Sequence, residues 1–286
     1  MLVTVNGVRL FFDVVGEKLR IGADDALNER PVMVLLHGGP GGDHQSLRPA
    51  FDRFAERAQL IYLDQRGGGR SAHGPESGWT LDQWGDDVAA LCDALGVTKP
   101  IVLGVSGGAM AAASYIARHP NHARAAILVN ACARMDQQAV IDGFAARGGP
   151  EAGAAAKALY GGFDMAAMPA FFQHCMPLYS RRGGMAAPTG AGRQSFNFAV
   201  SQHFFKVGGE AFKFDFRGKM SKVDIPVLAL AGAHDPITHA AWGKELAQAL
   251  PHGEYVEFAN SSHMIAMDEP DNFYAVIEAF LDRLQA

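Results

Sequence analysis

One stretch constrains this chain more than any other. Ile101-Val102-Leu103-Gly104-Val105-Ser106-Gly107-Gly108-Ala109-Met110 is a short apolar run that ends in G-x-S-x-G and leads into an alanine-rich segment. The order reads as strand, sharp turn, helix. A turn of that kind strains the backbone at the serine and lifts its hydroxyl clear of the end of a sheet. Gly104 and Gly108 suit it, because without a Cβ they let two chain segments close on one another. A buried serine in a strand-to-helix turn with no chemistry is the plainer reading of the same residues, so the surrounding chain has to decide.

Upstream, Val3 to Phe11 carries two alternating runs about Asn6-Gly7, the signature of an antiparallel hairpin with a tight turn. Pro31 to Leu36 and Ala58 to Leu63 are continuous apolar runs, as in strands buried on both faces. The first runs into His37-Gly38-Gly39-Pro40-Gly41-Gly42, the second into Asp64-Gln65-Arg66-Gly67-Gly68-Gly69-Arg70-Ser71, so glycine loops leave both strands at their C-terminal ends. Leu81, Trp84, Val88, Leu91 and Leu95 recur at helical spacing, with Thr80 and Gln83 as a capping box and Gly96 as the C-terminal stop. Another apolar strand follows at Ala125 to Val129. Strands alternating with helices predict an α/β domain with a mostly parallel sheet.

That alternation stops between Met135 and Lys222, where Gly, Ala, Met and Phe dominate and Gly148-Gly149-Pro150, Gly161-Gly162, Gly183-Gly184 and Gly208-Gly209 act as breaks. It resumes at Ile225 to Leu230 and Glu254 to Phe258, with a closing helix over Asp271 to Leu284. The expected organisation is one sheet domain, residues 1–134 and 223–286, interrupted by a largely helical cap at 135–222.

A serine hydroxyl is a weak nucleophile at neutral pH and needs a base, with an acid to orient that base. Asp235 stands on the loop after the strand ending at Leu230, and His263 on the loop after the last strand, which gives the order Ser106, Asp235, His263. His119 and His252 fall at the opposite ends of the strands. An oxyanion needs preorganised N–H donors, and the amides of Gly107, just after the serine, and Gly39, on the loop after an early strand, stand in the right places. The His37 to Gly42 loop lacks the G-K-[ST] ending and the G-x-G-x-x-G spacing of a nucleotide-binding loop.

Composition excludes several other classes. Twenty-five basic and 30 acidic residues give a net charge of −5 without a basic cluster, against a nucleic-acid partner. Ile101 to Ala117 is the longest uncharged run, yet glycines break it and it is too short to span a membrane. The N-terminus lacks the basic and apolar regions of a signal peptide, which leads to a cytoplasmic expectation. Cys92, Cys132 and Cys175 are odd in number and widely spaced, so reduced packing thiols are expected rather than disulfides or a metal site. No metal and no cofactor is expected, and oligomeric state is not legible.

Taken together, His37-Gly-Gly-Pro-Gly41, Asp64-Gln-Arg-Gly-Gly-Gly-Arg-Ser71, Gly104-Val-Ser-Gly-Gly108, Gly232-Ala-His-Asp235 and Ser262-His263 resemble the proline iminopeptidase branch of the α/β-hydrolase fold. The resemblance implies a triad of Ser106, Asp235 and His263, oxyanion donors at Gly39 and Gly107, and a helical cap that shapes the pocket for a small molecule or short peptide. Two departures stand out. The family's tryptophan after the nucleophile is Gly107 here, which is expected to widen the pocket floor. The cap glutamate that holds a substrate ammonium, in a stretch resembling E-N-H-Y-F, is matched by Ser201-Gln202-His203-Phe204-Phe205. Ser201, Phe204 and Phe205 are therefore the expected cap contributions to the pocket, with Glu210 as an alternative anion. The reading favoured is a serine hydrolase of a small ester or amide. A true iminopeptidase, a lyase or carbon–carbon hydrolase with the same triad, and a ligand receptor on this scaffold are the alternatives, while Ser106 excludes relatives that attack with aspartate.

Overall fold

The computed structural model describes residues 1–21, 26–163, 165–183 and 195–285. The chain opens with β1 (Leu2–Val5) and β2 (Val8–Val15), an antiparallel pair. Its turn residues Asn6 and Gly7 both take positive φ, 47° and 75°, as a two-residue hairpin turn requires. A small separate hairpin, β3 (Leu19–Ile21) and β4 (Leu27–Glu29), precedes the apolar strands β5 (Val32–Leu36), β6 (Gln59–Leu63), β7 (Ile101–Val105), β8 (Ala125–Val129), β9 (Val227–Gly232) and β10 (Gly253–Phe258). The main sheet runs β1-β2-β6-β5-β7-β8-β9-β10, and every pairing from β6 to β10 is parallel. This is the mostly parallel α/β-hydrolase sheet that the sequence predicts.

The strand order positions the site. From β5 the chain crosses to β6 on one side and later to β7 on the other, so the strand order reverses between β5 and β7, the point where open α/β sheets place their sites beyond the carboxyl ends. The loops leaving β5 and β7 carry Gly39 and Ser106.

Helices cover both faces: α1 (Leu81–Ala94) and α2 (Gly107–Arg118), then α3 (Gln137–Tyr160), α4 (Met168–His174) and α5 (Phe198–Phe205) between β8 and β9, then α6 (Ala240–Gln248), α7 (Ile265–Asp268) and α8 (Pro270–Gln285). Strand alternation divides the core. Val34 and Leu36 face the side with α1 and α2, while Met33 and Leu35 face the side with Phe273, Ile277 and Phe280 of α8. Thr80 caps α1 through Gln83 N at 3.1 Å, and Gly96 past its end has φ +65°.

Between β8 and β9 the described residues form helices and turns. α3 is broken at Gly149-Pro150, where Gly149 has φ 80° and ψ −171°. Gly184 of the expected Gly183-Gly184 break lies outside the described residues. Phe144, Tyr160, Phe171 and Tyr179 pack ring to ring beneath these helices. The three cysteines are buried free thiols. Among the described residues no helix is long and apolar enough to cross a membrane.

Candidate active site

Ser106 follows β7 directly with φ 53° and ψ −119°, a conformation that costs a non-glycine residue about 1–3 kcal/mol unless its surroundings enforce it. They do. Its amide donates to Val129 O on the neighbouring strand (2.8 Å), and its carbonyl accepts from Ala109 and Met110 of α2. The glycines leave no alternative, since a Cβ on Gly104 would sit 2.3 Å from Gly108 O, and one on Gly108 2.2 Å from Leu36 O.

Asp235 and His263 arrive from the ends of β9 and β10. Asp235 is fully buried and four donors surround its carboxylate. Oδ1 accepts from Ile237 N (2.7 Å) and Thr238 N (3.1 Å), and Oδ2 from Thr238 Oγ1 (2.6 Å) and His263 Nδ1 (2.6 Å). Burial works to raise this carboxyl's pKa, yet the charge and hydrogen bond of His263, with the Thr238 and Ile237 donors, outweigh it and hold the pKa below the usual range. A carboxylate can only accept, so the ring proton sits on Nδ1 and the Nε2 lone pair is left for Ser106 Oγ, 3.0 Å away. The structure thus brings the three expected residues into one relay. Asn130, itself at φ 53°, locks the two loops together: its Nδ2 donates to His263 O (2.5 Å) and its Oδ1 accepts from Gly232 N (3.3 Å).

Gly39 and Gly107 lie side by side, and a Cβ on Gly107 would lie 3.6 Å from Gly39 N and 3.3 Å from Pro40 Cδ. Gly107 opens α2, so its amide has no carbonyl one turn back to bond and carries the positive end of the helix. Among the described residues neither amide donates to a protein acceptor. Gly39 has φ +67°, which glycine adopts without strain.

Two buried histidines brace this loop. His37 Nδ1 donates to Gly38 O (3.0 Å), while Nε2 accepts from Gln65 N (3.3 Å). Burial depresses its pKa and keeps the ring neutral, as that pair of bonds requires. His44 donates from Nδ1 (2.6 Å) and its backbone N (2.9 Å) to Asp64, which also accepts from Arg70 N (2.9 Å). Burial alone would raise the Asp64 carboxyl, but these donors outweigh it and hold it low.

The residues expected from the helical insertion are placed differently. Ser201 is buried and donates its hydroxyl to Pro40 O, a short contact that seats α5 on the glycine loop. Asn197 joins it, donating from N to Gly41 O (2.8 Å) and from Nδ2 to Gly67 O (2.9 Å). Phe204 stacks on Trp84 at 4.6 Å, and Phe205 packs against Tyr160 and Phe163. Glu210 Oε1 accepts from Leu81 N (2.9 Å) at the start of α1. Two aromatics that the sequence reading passes over stand nearer the relay. The Tyr179 ring meets His263 edge to face at 5.3 Å, and the half-exposed Phe196 reaches within 3.7 Å of the Cβ position of Gly39. No short-range signal marks either one, because both contacts join segments far apart in the chain.

Residues 31–270 match the family model described as alpha/beta hydrolase fold. A proline iminopeptidase from Lactobacillus helveticus is 25% identical, over 97% of this chain and 95% of its own. Among solved structures, a proline iminopeptidase from Mycobacterium smegmatis superposes with a TM-score of 0.76 at 24% identity, covering 99% of this chain and 98% of that one. An enol-lactonase from Burkholderia xenovorans LB400 superposes with a TM-score of 0.67 at 23% identity, covering 99% and 100%. Both solved structures share the fold.

Proposed function

We propose that this chain, which belongs to the alpha/beta hydrolase fold family, is a serine hydrolase that cleaves an ester or amide bond of a small substrate through an acyl-enzyme. The observation that carries the reading is the relay from Ser106 Oγ to His263 Nε2 (3.0 Å) and from His263 Nδ1 to Asp235 Oδ2 (2.6 Å), with the serine held in a strained turn.

In this mechanism Ser106 Oγ attacks the substrate carbonyl as His263 Nε2 takes its proton, and Asp235 stabilises the imidazolium through Nδ1. The carbonyl oxygen becomes an oxyanion that accepts from the amides of Gly39 and Gly107. His263 returns the proton to the leaving alcohol or amine as the tetrahedral adduct collapses. Water then attacks the acyl-Ser106 ester with His263 again as base, releasing the acid and restoring the serine. The helical insertion, residues 135–222, acts as a cap over this reaction and admits a small molecule or a short peptide.

The relatives named as proline iminopeptidases support a second reading, removal of an N-terminal residue. Two observations favour a substrate without a free amine instead. Ser201 is neutral and donates its hydroxyl to Pro40 O, and Glu210 Oε1 accepts from Leu81 N. Ser201 brings no charge to an ammonium, and Glu210 is anchored at the start of α1.

The test is labelling by a fluorophosphonate, followed by a panel of aryl esters, anilides and aminoacyl anilides. Wild type is expected to label at Ser106 and turn over the esters, and Ser106→Ala to do neither. Labelling that persists in Ser106→Ala, or maps to another serine, overturns the mechanism. A wild type that neither labels nor turns over overturns the hydrolase reading in favour of the receptor alternative.

A further inference from the structure

His263 belongs to the loop after β10, but the helical insertion grips that loop on both sides of it. Met264 N donates to Tyr179 O (2.8 Å), and Ser262 Oγ lies 2.6 Å from Leu178 O. Between these two bonds the Tyr179 ring stands against the imidazole. One side chain completes the junction. Asp268, at the end of α7 and nearly fully buried, divides its carboxylate between the two segments. Oδ1 accepts from Ser180 Oγ (2.5 Å) and Arg181 N (2.9 Å) of the insertion, and Oδ2 accepts from Ser262 N (2.8 Å), the residue next to the base.

We propose that Asp268 is a positioning residue for the reaction: by tying residues 180–181 to Ser262 it keeps His263 in line between Asp235 and Ser106, so that seating the cap and aligning the base are one event. The proposal rests on the reading of His263 as general base. Asp235 fixes the Nδ1 edge of the ring and Asn130 the carbonyl of His263, and rotation of the loop about these two points would swing Nε2 away from Ser106. The bonds at Ser262 and Met264 oppose that rotation from either side of the ring. The Met264 bond to Tyr179 O and the shorter of the two Ser262 Oγ contacts, to Leu178 O rather than His234 O (3.0 Å), come from the insertion, and Asp268 binds the insertion to the loop by side chain on both ends. A displacement of about 1 Å at a reacting group can cost on the order of 100-fold in rate.

Asp268→Asn is nearly isosteric and breaks one half of the tie whichever way the amide turns. Its NH2 must face either Ser262 N–H or Arg181 N–H, and neither can accept. In enzyme whose wild type has first been shown to label at Ser106, this variant is expected to lower kcat and the second-order rate of labelling by a small fluorophosphonate by the same factor, about 10- to 100-fold, while KM stays within about twofold of wild type. Ser180→Ala removes two bonds, Ser180 Oγ to Asp268 and Arg182 N to Ser180 Oγ, both on the insertion side. It is expected to slow labelling about threefold in wild type and to add nothing in Asp268→Asn, because the tie is already broken there. A merely structural carboxylate would lower the melting temperature and leave the labelling rate per folded molecule untouched. That result in Asp268→Asn overturns the proposal, as does a rise in KM with kcat unchanged. If Asp268→Asn does not fold, the labelling rate of Ser180→Ala decides, and an unchanged rate overturns it. Failure of wild type to label at Ser106 would instead remove the reading on which this one stands.

Discussion

Asp235→Asn should abolish most turnover by turning the base around rather than by removing its partner. The amide cannot choose its orientation freely. Asp235 Oδ1 receives two backbone N–H groups, from Ile237 at 2.7 Å and Thr238 at 3.1 Å, in a fully buried site. An NH2 placed there would leave two buried donors unsatisfied, at about 1–3 kcal/mol each, so the asparagine oxygen takes that side. Its NH2 then occupies the Oδ2 position, where Thr238 Oγ1 can rotate to accept but His263 Nδ1 must give up its proton to do so. The imidazole is left with its proton on Nε2, facing Ser106 Oγ with nothing to accept. Where this tautomer inversion occurs in a serine triad, kcat falls by about 10⁴, which is about 5.5 kcal/mol in the barrier. The assay is kcat for a 4-nitrophenyl ester at fixed pH, on protein whose melting temperature shows it folded. A kcat within about tenfold of wild type would refute both the tautomer argument and the role of Asp235.

Three further outcomes are expected. Gly108→Ala places a Cβ 2.2 Å from Leu36 O and 2.5 Å from His37 O, both backbone atoms at the end of a central strand, and should destabilise by about 3 kcal/mol in urea unfolding; near-wild-type stability would show that the turn can open. N-acetylproline 4-nitroanilide should be cleaved at least as well as proline 4-nitroanilide, with the ratio unchanged in Glu210→Gln, because Ser201 is neutral and Glu210 is anchored to Leu81 N at the start of α1; a strong preference for the free amine restores the iminopeptidase reading. Burial depresses the pKa of His37 below its ordinary 6.5, so the unfolded chain takes up the proton first. The stability tied to this group is complete above about pH 6.5 and is lost as pH falls toward the folded value, at up to about 1.4 kcal/mol per pH unit. Urea unfolding at pH 7.5 and 5.5 should show a slope that shrinks in His37→Gln, and an equal slope would assign the titration elsewhere.

The sheet and the hydrogen-bonded grouping of Ser106, His263 and Asp235 are legible for a shared reason. Each core strand announces itself as a run of apolar residues, and each loop that leaves its carboxyl end carries its chemistry within a few positions of that run: Gly39 just past β5, Ser106 just past β7, Asp235 just past β9, His263 five residues past β10. In a parallel sheet all these ends lie on one side, so chain order alone collects them. The strain at Ser106 is legible too, because Gly104 and Gly108, which permit it, are its near neighbours in sequence. His37 and Asp64 also stand in readable motifs, yet their work as braces depends on Gln65, His44 and Arg70 and on burial, and no motif records a hydrogen-bond partner.

The helical insertion obeys a different logic, and Ser201 shows why. Matching five residues against a family stretch identifies a side chain, but what that side chain does is set by what faces it. The group facing Ser201 is the carbonyl of Pro40, 161 positions earlier, and Leu81 N, which faces Glu210, is 129 positions away. Both partners are backbone atoms, and a backbone atom has no residue identity for a sequence to display. Changing Ser201 to glutamate would therefore not simply supply a charge to the pocket. It would take the donor from Pro40 O and ask an ionised carboxylate to enter a site where the serine is only 2% exposed. The glutamate must either stay protonated or push α5 off the glycine loop, and in the second case Gly39 moves with it. Loss of ester turnover in Ser201→Glu together with no gain for aminoacyl substrates is the outcome this packing requires, and a selective gain for the free amine would show that α5 can yield without disturbing the oxyanion loop.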